Sequence, residues 1–584
     1  MTALAFHEAT KHHFNRFARS TGYLDWATQP DPFRRYAGAR RVSLPRDVLA
    51  ADVPYDALFD GSAPVAALSD AAIATFLRCS LGLSAWKQFR SSRWALRVNP
   101  SSGNLHPTEA YLIRDGRVCH YAPSEHALEE RCVLDARAWA AYAGINHGFL
   151  VGLTSIHWRE AWKYGERAFR YCQHDCGHAI AALRFAAALL GWRLALLPRW
   201  SDSQIAAVLG TDRDEDFVGA EREEPECLAW VAPTIPESML AAEPGVLVEA
   251  TATSAWSGRA NALSSTRVEW PVIDEVARAS RRVVVARPVG DAEPTAQRRA
   301  QVAVRGAEPA LHRSGTAGPA SPQQMPSARQ IILQRRSAVA FDARSTLPRD
   351  RFLAMLARTK PDAPPFDAID WPPHVHLLLF VHRVEGLTPG VYAYLRDPAV
   401  LPEWRAAMRP EFLWERMNDP NDPNDPNDPN DPNDPNDPND PNDPNDLYLL
   451  LPFDVTWVAN RVSCDQDIAS DGFFSLGMVA RLESALRERG EWFYRRVFWE
   501  SGILGQVLYL EAEAAGARAT GIGCFYDDPV HDAAGLAGLE WQSIYHFSMG
   551  VPVDDDRLTT EPGYDWESAH ANRDVPADGV RRGA

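Results

Sequence analysis

The sequence has few of the features that mark membrane or secreted proteins. No uncharged apolar run of about eighteen residues occurs, and the richest apolar segment, 179–192, is interrupted by Arg184. Eight cysteines in 584 residues are too few and too scattered for a disulfide framework, which favours a reducing compartment. Residues 1–20 carry basic side chains without an apolar stretch, so we expect no signal peptide. These absences predict a cytoplasmic protein with no membrane partner.

Composition also excludes several classes of partner and fold. The formal net charge of −17 argues against a nucleic acid partner and against an anionic membrane surface. Ten of the acidic residues lie in one Asn-Asp-Pro tract, so the rest of the chain is only mildly acidic. Hydrophobic residues make up 46% and charged residues 23%, which is typical of a globular protein. At about 100–200 residues per domain, the length predicts two to four domains.

Three common nucleotide and nucleophile motifs are missing from the sequence. There is no Gly-x-Gly-x-x-Gly after a strand, no Walker loop and no Gly-x-Ser-x-Gly elbow. A dedicated nicotinamide-binding domain is therefore not expected. A nicotinamide that donated electrons would have to bind transiently.

Two segments interrupt the globular pattern and divide the chain. Residues 288–328 contain no Phe, Trp or Tyr and cannot bury enough surface to offset the entropy of ordering, so they predict a flexible linker. Residues 418–446 repeat Asn-Asp-Pro, which blocks helix and central strand and predicts a disordered insertion. A calcium-binding repeat is the weaker interpretation, because no glycine supplies sharp turns and no glutamate closes a cage. We therefore expect a first domain over 1–287, a second over 329–568 and a C-terminal tail over 569–584.

The hydrophobic pattern predicts a mixed α+β fold without a regular βαβ cycle. Helical periodicity is found in four segments: 69–80, 166–190, 470–489 and 493–515. Strand patterns are found in four others: 109–114, 374–382, 447–453 and 541–550. Both halves end in a short helix followed by an apolar strand, 202–210 then 227–232 and 530–539 then 541–550. We therefore expect a diverged tandem repeat.

The polar loop at 97–109 is the sharpest local feature. Its sequence is Arg-Val-Asn-Pro-Ser-Ser-Gly-Asn-Leu-His-Pro-Thr-Glu, and a strand follows it. Prolines fix the backbone, while Ser101, Ser102 and Asn104 offer short polar groups that can cup a planar ligand or an anion. The alternative is an ordinary capped loop, since Ser and Asn are common N-caps.

A second polar feature occurs at 331–342, where Arg335, Arg336 and Ser337 follow an apolar helical stretch. Such a triplet can hold a phosphate through charge-assisted hydrogen bonds. A solvated helix end is the alternative interpretation, because Arg-Arg-Ser is a common sequence.

Together these segments resemble the nitroreductase superfamily. Arg-Arg-Ser-x-x-x-Phe-Asp followed by Leu-Pro resembles that family's FMN-phosphate motif, and Pro100-Ser-Ser-Gly-Asn-x-His-Pro resembles the loop that lies along the flavin ring. Further segments are similar to the SagB/ThcOx dehydrogenase branch: 162–171 with 177–178, 387–394, 500–508 and 521–528. The resemblance implies FMN as cofactor. It also implies cofactor-binding roles for Pro100, Ser101, Ser102, Asn104, Arg335, Arg336, Ser337, Gly521, Gly523 and Arg557.

The resemblance implies a specific arrangement of the two halves. In this superfamily FMN lies at a dimer interface, with the Arg-x-Ser motif from one subunit and the loop from the other. Here the first half has the loop and the second half has Arg335–Ser337, while 360–366 lacks a second loop. We therefore expect two three-layer α-β-α halves that form an intrachain pseudo-dimer with one composite site. Val339 and His106 depart from the residues usual in the family.

The resemblance also implies a catalytic pair. Lys163 and Tyr164 match the Lys-Tyr pair of azole-forming members, in which a desolvated lysine can act as a base. The alternative is a solvated lysine beside a packed tyrosine. With FMN the chemistry would be hydride transfer between flavin N5 and a small or peptide-derived substrate. NAD(P)H and oxygen are the redox partners to be considered.

A cluster of Cys172, His174, Cys176 and His178 suggests zinc at first sight. On one helix the two i,i+4 pairs lie about 160° apart, so four ligands cannot converge tetrahedrally. We therefore predict no metal site and assign these residues to packing and polar contacts. Two further functions stay open: an NAD(P)H-dependent nitro or quinone reductase, and a non-catalytic flavin-binding partner in a biosynthetic complex.

Overall fold

The structure is a computed structural model that describes residues 1–46, 53–283, 326–417 and 446–567. The predicted linker, 288–328, lies outside the described residues except for its last three. The same holds for the Asn-Asp-Pro insertion, 418–446, except for Asp446, and for the whole of the tail, 569–584.

The described part of the first half alternates short helices with antiparallel strands. In chain order its elements are α1 (Ala3–Ala9), β1 (Tyr36–Ala37), β2 (Arg40–Ser43), α2 (Ala57–Asp60), α3 (Asp70–Arg78), β3 (Leu83–Phe89), β4 (Ser92–Arg97), β5 (Thr108–Arg114), β6 (Arg117–Ala122), β7 (Ala127–Val133), α4 (Ala136–Ala143), β8 (Phe149–Ser155), α5 (His157–Tyr164), α6 (Ala168–Leu189), β9 (Arg193–Leu196), α7 (Asp202–Leu209), β10 (Glu224–Ala232), α8 (Glu237–Leu240), α9 (Gly245–Thr253), β11 (Arg259–Ala260) and α10 (Pro271–Ala279).

The described part of the second half has the same kind of composition. Its elements are α11 (Ala328–Gln334), α12 (Arg349–Ala357), β12 (Val375–Val381), β13 (Gly390–Tyr394), α13 (Leu401–Ala407), β14 (Glu415–Arg416), β15 (Leu447–Pro452), α14 (Thr456–Val462), α15 (Ile468–Asp471), β16 (Phe474–Arg481), α16 (Glu483–Arg489), α17 (Phe493–Ala514), β17 (Arg518–Ile522), α18 (Asp527–Ala534), β18 (Trp541–Gly550) and β19 (Thr559–Pro562).

Two seven-stranded antiparallel sheets organise the chain. The first has the order β2-β7-β6-β5-β8-β10-β9 and the second the order β14-β15-β13-β12-β16-β18-β17. Without the edge strands β2 and β14, both sheets place their six strands in the same order of chain position: third, second, first, fourth, sixth, fifth. The α+β class is therefore confirmed, and the two halves share one strand topology.

A long buried helix follows the fourth strand of each six-strand set. These helices, α6 and α17, each have 22 residues, and every residue of α6 is buried. The sequence predicts both of them, at 166–190 and 493–515, from their helical periodicity. They pack against each other in the interior, where burial of their apolar side chains supplies the main stabilisation.

Two glycines allow α6 and α17 to cross closely. A Cβ on Gly177 would lie 2.2 Å from the Trp499 carbonyl oxygen, and a Cβ on Gly502 would lie 2.2 Å from the His174 carbonyl oxygen. Each glycine therefore lies against the backbone of the opposite helix. The crossing needs the absence of a side chain at both positions.

Buried ion pairs repeat across this crossing. Arg170, the third residue of α6, donates to the Asp527 carboxylate at the start of α18 at 2.8 Å. Arg495, the third residue of α17, pairs with Asp202 at the start of α7. The first half thus binds the second through the same contact that the second uses to bind the first.

One helix prediction is wrong. The segment 470–489 contains the strand β16 and the short helix α16 rather than a single helix. β16 is paired on both sides, with β12 and β18, and seven of its eight residues are buried. An apolar run buried on both faces has no alternation to distinguish it from a helix segment. The four predicted strands are confirmed within one or two residues at each end.

The last strand of the second half joins the first half. β19 pairs antiparallel with β3, and β3 pairs with β4, so a three-stranded sheet contains strands from both halves. This sheet forms one edge of the functional cavity described below. Among the described residues, no helix combines the length and apolarity needed to cross a membrane.

Candidate functional site

A cavity of about 810 Å³ lies between the two halves. The first half contributes the loop between β4 and β5, and α6 forms part of the floor. The second half contributes the segment 335–339 and the turn after β17. Residues more than 200 positions apart in the sequence, such as Ser101 and Arg335, therefore line the same cavity.

The loop before β5 is held in an unusual backbone conformation. Gly103, Asn104 and His106 all have positive φ, between +55° and +59°. The Asn104 side-chain amide donates to the Ala95 carbonyl at 2.9 Å, and the Ser101 hydroxyl accepts from the His106 amide at 2.7 Å. These bonds fix the loop against β4 and keep its polar backbone at the cavity wall.

Lys163 and Tyr164, at the end of α5, lie directly against this loop. A Cβ on Gly103 would lie 2.6 Å from the Tyr164 hydroxyl and 3.2 Å from Lys163 Nζ. Tyr164 lines the cavity, and Lys163 is half-buried with its ammonium 5.1 Å from the Tyr164 ring centre. The predicted catalytic pair is thus adjacent to the predicted cofactor loop.

Arg335 also lines the cavity and is buried, 3% exposed. Its Nε donates to the Val98 carbonyl and its Nη2 to the Arg97 carbonyl, both at 3.1 Å, so it is anchored to the first half. Its Nη1 is buried with no hydrogen-bond partner. Burial lowers the pKa of Arg335, because the charged form is poorly solvated there. A buried guanidinium with a free donor is suited to bind an anion.

Other cations surround Arg335. Arg336, Lys87 and Arg518 line the same end of the cavity. Burial and the Arg335 charge lower the pKa of Arg336 to about 10, and burial together with Arg336 and Arg518 lowers that of Lys87. Mutual repulsion of this kind shows that the cations lie close together. An anionic group bound among them would relieve the repulsion.

Ser337 connects this cationic end to the β17 strand. Its hydroxyl is 2.8 Å from the Tyr509 hydroxyl, which accepts from the Gly521 amide at 3.0 Å. Gly521 and Gly523 allow large rings to approach the turn. A Cβ on Gly521 would lie 2.0 Å from the Tyr545 hydroxyl, and one on Gly523 would lie 2.5 Å from the Tyr171 ring.

Two buried acids lie beneath the loop. Asp175 on α6 accepts from the Ser102 amide and the Ser102 hydroxyl, both at 3.0 Å. Burial raises the pKa of Asp175 to about 7. Glu160 on α5 is fully buried near Ser101, and burial followed by repulsion from Asp175 raises its pKa well above the usual value. A carboxyl that titrates near neutral pH and lines a cavity can exchange protons with a ligand.

Aromatic and imidazole rings form the floor between these ends. His178 Nε2 is 3.2 Å from the Tyr545 hydroxyl, and His178 Nδ1 is 3.3 Å from Gln506. Burial lowers the pKa of His178 to about 3, so the ring is neutral at pH 7. Tyr171 and Tyr164 meet edge to face with ring centres 4.6 Å apart. The floor is therefore apolar enough to accept a planar ring system.

The structure brings nearly all of the sequence-predicted site residues together. Ten of the twelve line the cavity, namely Pro100, Ser101, Ser102, Asn104, Tyr164, Arg335, Arg336, Ser337, Gly521 and Gly523, and Lys163 lies against Gly103 on the cavity loop. Arg557 is different, since it is exposed and its guanidinium binds Asp555 at 2.7 and 2.8 Å. Asp554, Asp555 and Asp556 line the cavity edge on that side.

Sequence reasoning missed several cavity residues. Asp175 belongs to the cysteine–histidine segment but was not singled out, and His178 was assigned only to packing and polar contacts. Lys87, Tyr509 and Tyr545 carry no local signal, since each belongs to an ordinary strand or helix pattern. The one usable sign was the polar Gln-His-Asp triplet at 173–175, buried within an apolar helix.

The cysteines and histidines of 172–178 form protein contacts. Cys172 and Cys176 are fully buried, and His174 Nδ1 is 2.9 Å from the Ser501 hydroxyl. Within the described ranges, a different group has metal-ligand spacing: His12, Cys464 and Cys524. Cys524 lines the cavity.

Comparison with known proteins relates this geometry to a family. Residues 68–220 match the model of the Nitroreductase family. This segment includes the loop before β5 and the whole of α6. No curated protein sequence matches the chain significantly.

Solved structures extend the likeness to the whole chain. A candidate nitroreductase from Anabaena variabilis superimposes over 94% of this chain and 99% of its own, with a TM-score of 0.64 and 19% sequence identity, so the two share a fold. The E. coli microcin synthetase McbBCD complex with truncated pro-MccB17 bound covers 33% of this chain and 71% of its own at TM-score 0.24 and 18% identity. An oxidoreductase containing FMN covers 46% of this chain and 89% of its own at TM-score 0.19 and 15% identity.

Proposed function

We propose that the chain is an FMN-dependent oxidoreductase that binds one FMN in the cavity between its halves. The observation that carries this proposal is the buried Arg335, which is anchored to the first half, has no hydrogen-bond partner at Nη1 and shares the cavity with other cations. The volume of about 810 Å³ lies within the range of about 300–1,000 Å³ common for cofactor sites. The residues present therefore fit the group.

The two ends of the cavity suit the two ends of this cofactor. Arg335, with Arg336, Lys87 and Arg518 nearby, would hold the phosphate by charge-assisted hydrogen bonds. The loop at Ser101, Ser102 and Asn104 and the aromatic floor would enclose the planar ring. FMN bound there would supply hydride transfer to or from a substrate carbon.

We infer that the cavity is shared because the halves form an intrachain pseudo-dimer. The shared strand order, the Gly177–Gly502 crossing and the reciprocal Arg170–Asp527 and Arg495–Asp202 pairs support this inference. Phosphate contacts would then come from one half and ring contacts from the other.

Residues of this chain would accept the proton that the substrate loses. Lys163 Nζ and the Tyr164 hydroxyl face Gly103 on the loop, and Asp175 lines the cavity with a pKa near 7. We propose that Tyr164 orients the substrate and that Lys163 accepts its proton, in the manner of SagB/ThcOx dehydrogenases. A small or peptide-derived substrate would place its reacting carbon against the face of the ring.

Flavin content tests the proposal directly. The purified protein should release one FMN per chain, measured by absorption after denaturation. Arg335→Ala and Asn104→Ala should each weaken FMN binding, the first by about 10- to 150-fold if one charge-assisted hydrogen bond of about 1.5–3 kcal/mol is lost. Arg344→Ala and Asn146→Ala are matched controls outside the cavity and should leave FMN affinity unchanged. Failure to bind FMN after reconstitution would overturn the proposal and favour the partner-protein function.

Lys163→Ala separates the two enzyme functions. For the dehydrogenase, FMN should stay bound while substrate oxidation is lost. Steady NAD(P)H consumption with a nitroaromatic acceptor that survives in Lys163→Ala would instead indicate a nitro or quinone reductase.

A further inference from the structure

Two cysteines meet at the edge of the cavity. Cys464 and Cys524 are 60 positions apart in sequence, and their sulfur atoms are 3.1 Å apart. Both are partly exposed, whereas the other six cysteines are buried. Cys524 lines the cavity next to Gly523. The pair is therefore close, accessible and unused by the proposed flavin site.

The surroundings of the two sulfur atoms make them unequal. The Cys464 and Cys524 thiols share a hydrogen bond, and His12 Nδ1 lies 4.0 Å from the Cys524 sulfur. The Cys464 hydrogen bond, His12 and the Arg167 charge together lower the pKa of Cys524 to about 5. The same hydrogen bond and burial raise the pKa of Cys464. Cys524 is therefore favoured as a thiolate, and Cys464 is favoured as a thiol.

The backbone holds the pair in place. Cys464 and Asp465 both have positive φ, +58° and +55°, which costs energy for residues with side chains. The side-chain amide of Gln466 donates to the Ser463 carbonyl at 2.6 Å and to the Cys524 carbonyl at 2.9 Å. It therefore connects the backbone next to Cys464 with the backbone of Cys524.

We propose that Cys464 and Cys524 form a redox-active dithiol that reacts reversibly with low-molecular-weight disulfides. The Cys524 thiolate attacks one sulfur of the external disulfide, which forms a mixed disulfide at Cys524, breaks the external S–S bond and releases one thiolate. The Cys464 thiol then loses its proton to solvent and attacks Cys524, which forms the internal disulfide and releases the second thiolate. Two electrons pass from the cysteine pair to the external disulfide, which leaves as two thiols once protonated.

A metal site is the competing interpretation of the same residues. His12, Cys464 and Cys524 offer three ligand atoms within 4.8 Å. Two thiolates each about 2.3 Å from a tetrahedral zinc ion would lie about 3.8 Å apart. The observed separation of 3.1 Å is shorter than this, and it favours a bond between the two sulfur atoms over a shared ion.

The chain contains a matched control pair. Cys176 and Cys227 share a hydrogen bond but are buried, and burial raises the pKa of Cys176 well above its usual value. If proximity alone were enough, this pair would oxidise as well. If thiolate character and access are required, only Cys464 and Cys524 will.

Thiol mapping of the full-length protein tests the proposal. Reduced protein is equilibrated with mixtures of reduced and oxidised glutathione, quenched in acid, alkylated and mapped by mass spectrometry, both with and without bound flavin. We expect a 464–524 disulfide that reverses with dithiothreitol, while Cys176 and Cys227 stay alkylatable after denaturation. Because the readout is covalent, it is independent of whether FMN binds.

Single variants identify the roles of the two sulfurs. Cys464→Ser should retain a glutathione adduct at Cys524, because the resolving thiol is gone, and Cys524→Ser should form almost none. In the reduced protein at pH 7, iodoacetamide should label Cys524 at least about tenfold faster than Cys464. Absence of the disulfide at excess oxidised glutathione would overturn the proposal. So would co-purified zinc that protects both cysteines from alkylation.

Discussion

In each half, the long helix lies against the segment that leads into the first strand of the six-strand set. These two equivalent places, the first junction at α6 and the second junction at α17, differ in whether they contain a cavity. The eighth residue of α6 is Asp175 and the eighth of α17 is Glu500. Both acids accept hydrogen bonds from backbone amides near the start of the first strand of the six-strand set. Asp175 accepts from Ser102, and Glu500 accepts from His374 and Val375. At the first junction the acid faces a cavity, and at the second it is neutralised by Arg396.

The segments before the two strands cause this difference. At the first junction, short polar residues around Gly103 leave space above α6. At the second, Phe366 and Trp371 are buried, and Arg184 binds Asp367 at 2.7 and 2.8 Å. Arg184 occupies the place in α6 that Tyr509 occupies in α17, the seventeenth residue. The same pair of helices thus supports either a cavity or a packed core, depending on one loop.

The largest expected effect comes from breaking the closed junction. Glu500→Gln leaves Arg396 buried without its counter-charge and should lower the free energy of unfolding by about 3–5 kcal/mol. Asp175→Asn at the open junction should cost much less, because Asp175 carries no comparable buried ion pair in the described structure. Urea denaturation of the flavin-free proteins measures both. Equal losses in the two variants would contradict the distinction between the junctions.

The helix crossing that the junctions share should be the next most sensitive. Gly177→Ala and Gly502→Ala each place a methyl group 2.2 Å from a backbone carbonyl and should cost about 1–3 kcal/mol or more. Gly245→Ala is the matched control, since that helical glycine has no atom within 4 Å of an added Cβ. Thermal and urea unfolding give the comparison, and a stable Gly177→Ala would show that the helices can separate without cost.

A separate effect, of up to about 1.4 kcal/mol per pH unit, should appear in the pH dependence of stability. Burial raises the pKa of Asp175 from its ordinary value of about 3.9 to about 7, so between these values the folded protein holds a proton that the unfolded chain releases. Asp175 therefore stabilises the fold most at low pH, and this contribution falls by up to about 1.4 kcal/mol per pH unit as pH rises toward 7. Asp175→Asn should remove that part of the slope in flavin-free protein. If the slope of unfolding free energy against pH were unchanged in this variant, a group other than Asp175 would have to titrate in this range.

The smallest effect should come from Arg557. Its guanidinium is exposed and already bound to Asp555, so Arg557→Ala should change FMN affinity by less than about twofold. Arg335→Ala, measured in the same titration, provides the contrast. A loss at Arg557 as large as at Arg335 would mean that the cavity edge rearranges when the ligand binds.

The sequence by itself determined the α+β class, the long helices α6 and α17 and the strands β5, β10, β12, β15 and β18, and its motifs predicted ten of the residues that line the cavity. Local pattern and short polar motifs carry that information because they depend on neighbours in the chain. It misassigned β16, since burial on both faces removes alternation.

Only the tertiary structure decided what the segments build together. It placed Arg335 against Val98, Asp175 beneath Ser102, and Cys464 beside Cys524, and these contacts join residues 237, 73 and 60 positions apart. Such contacts leave no local signature, because the pKa values and free donors that matter here arise from burial between elements distant in sequence.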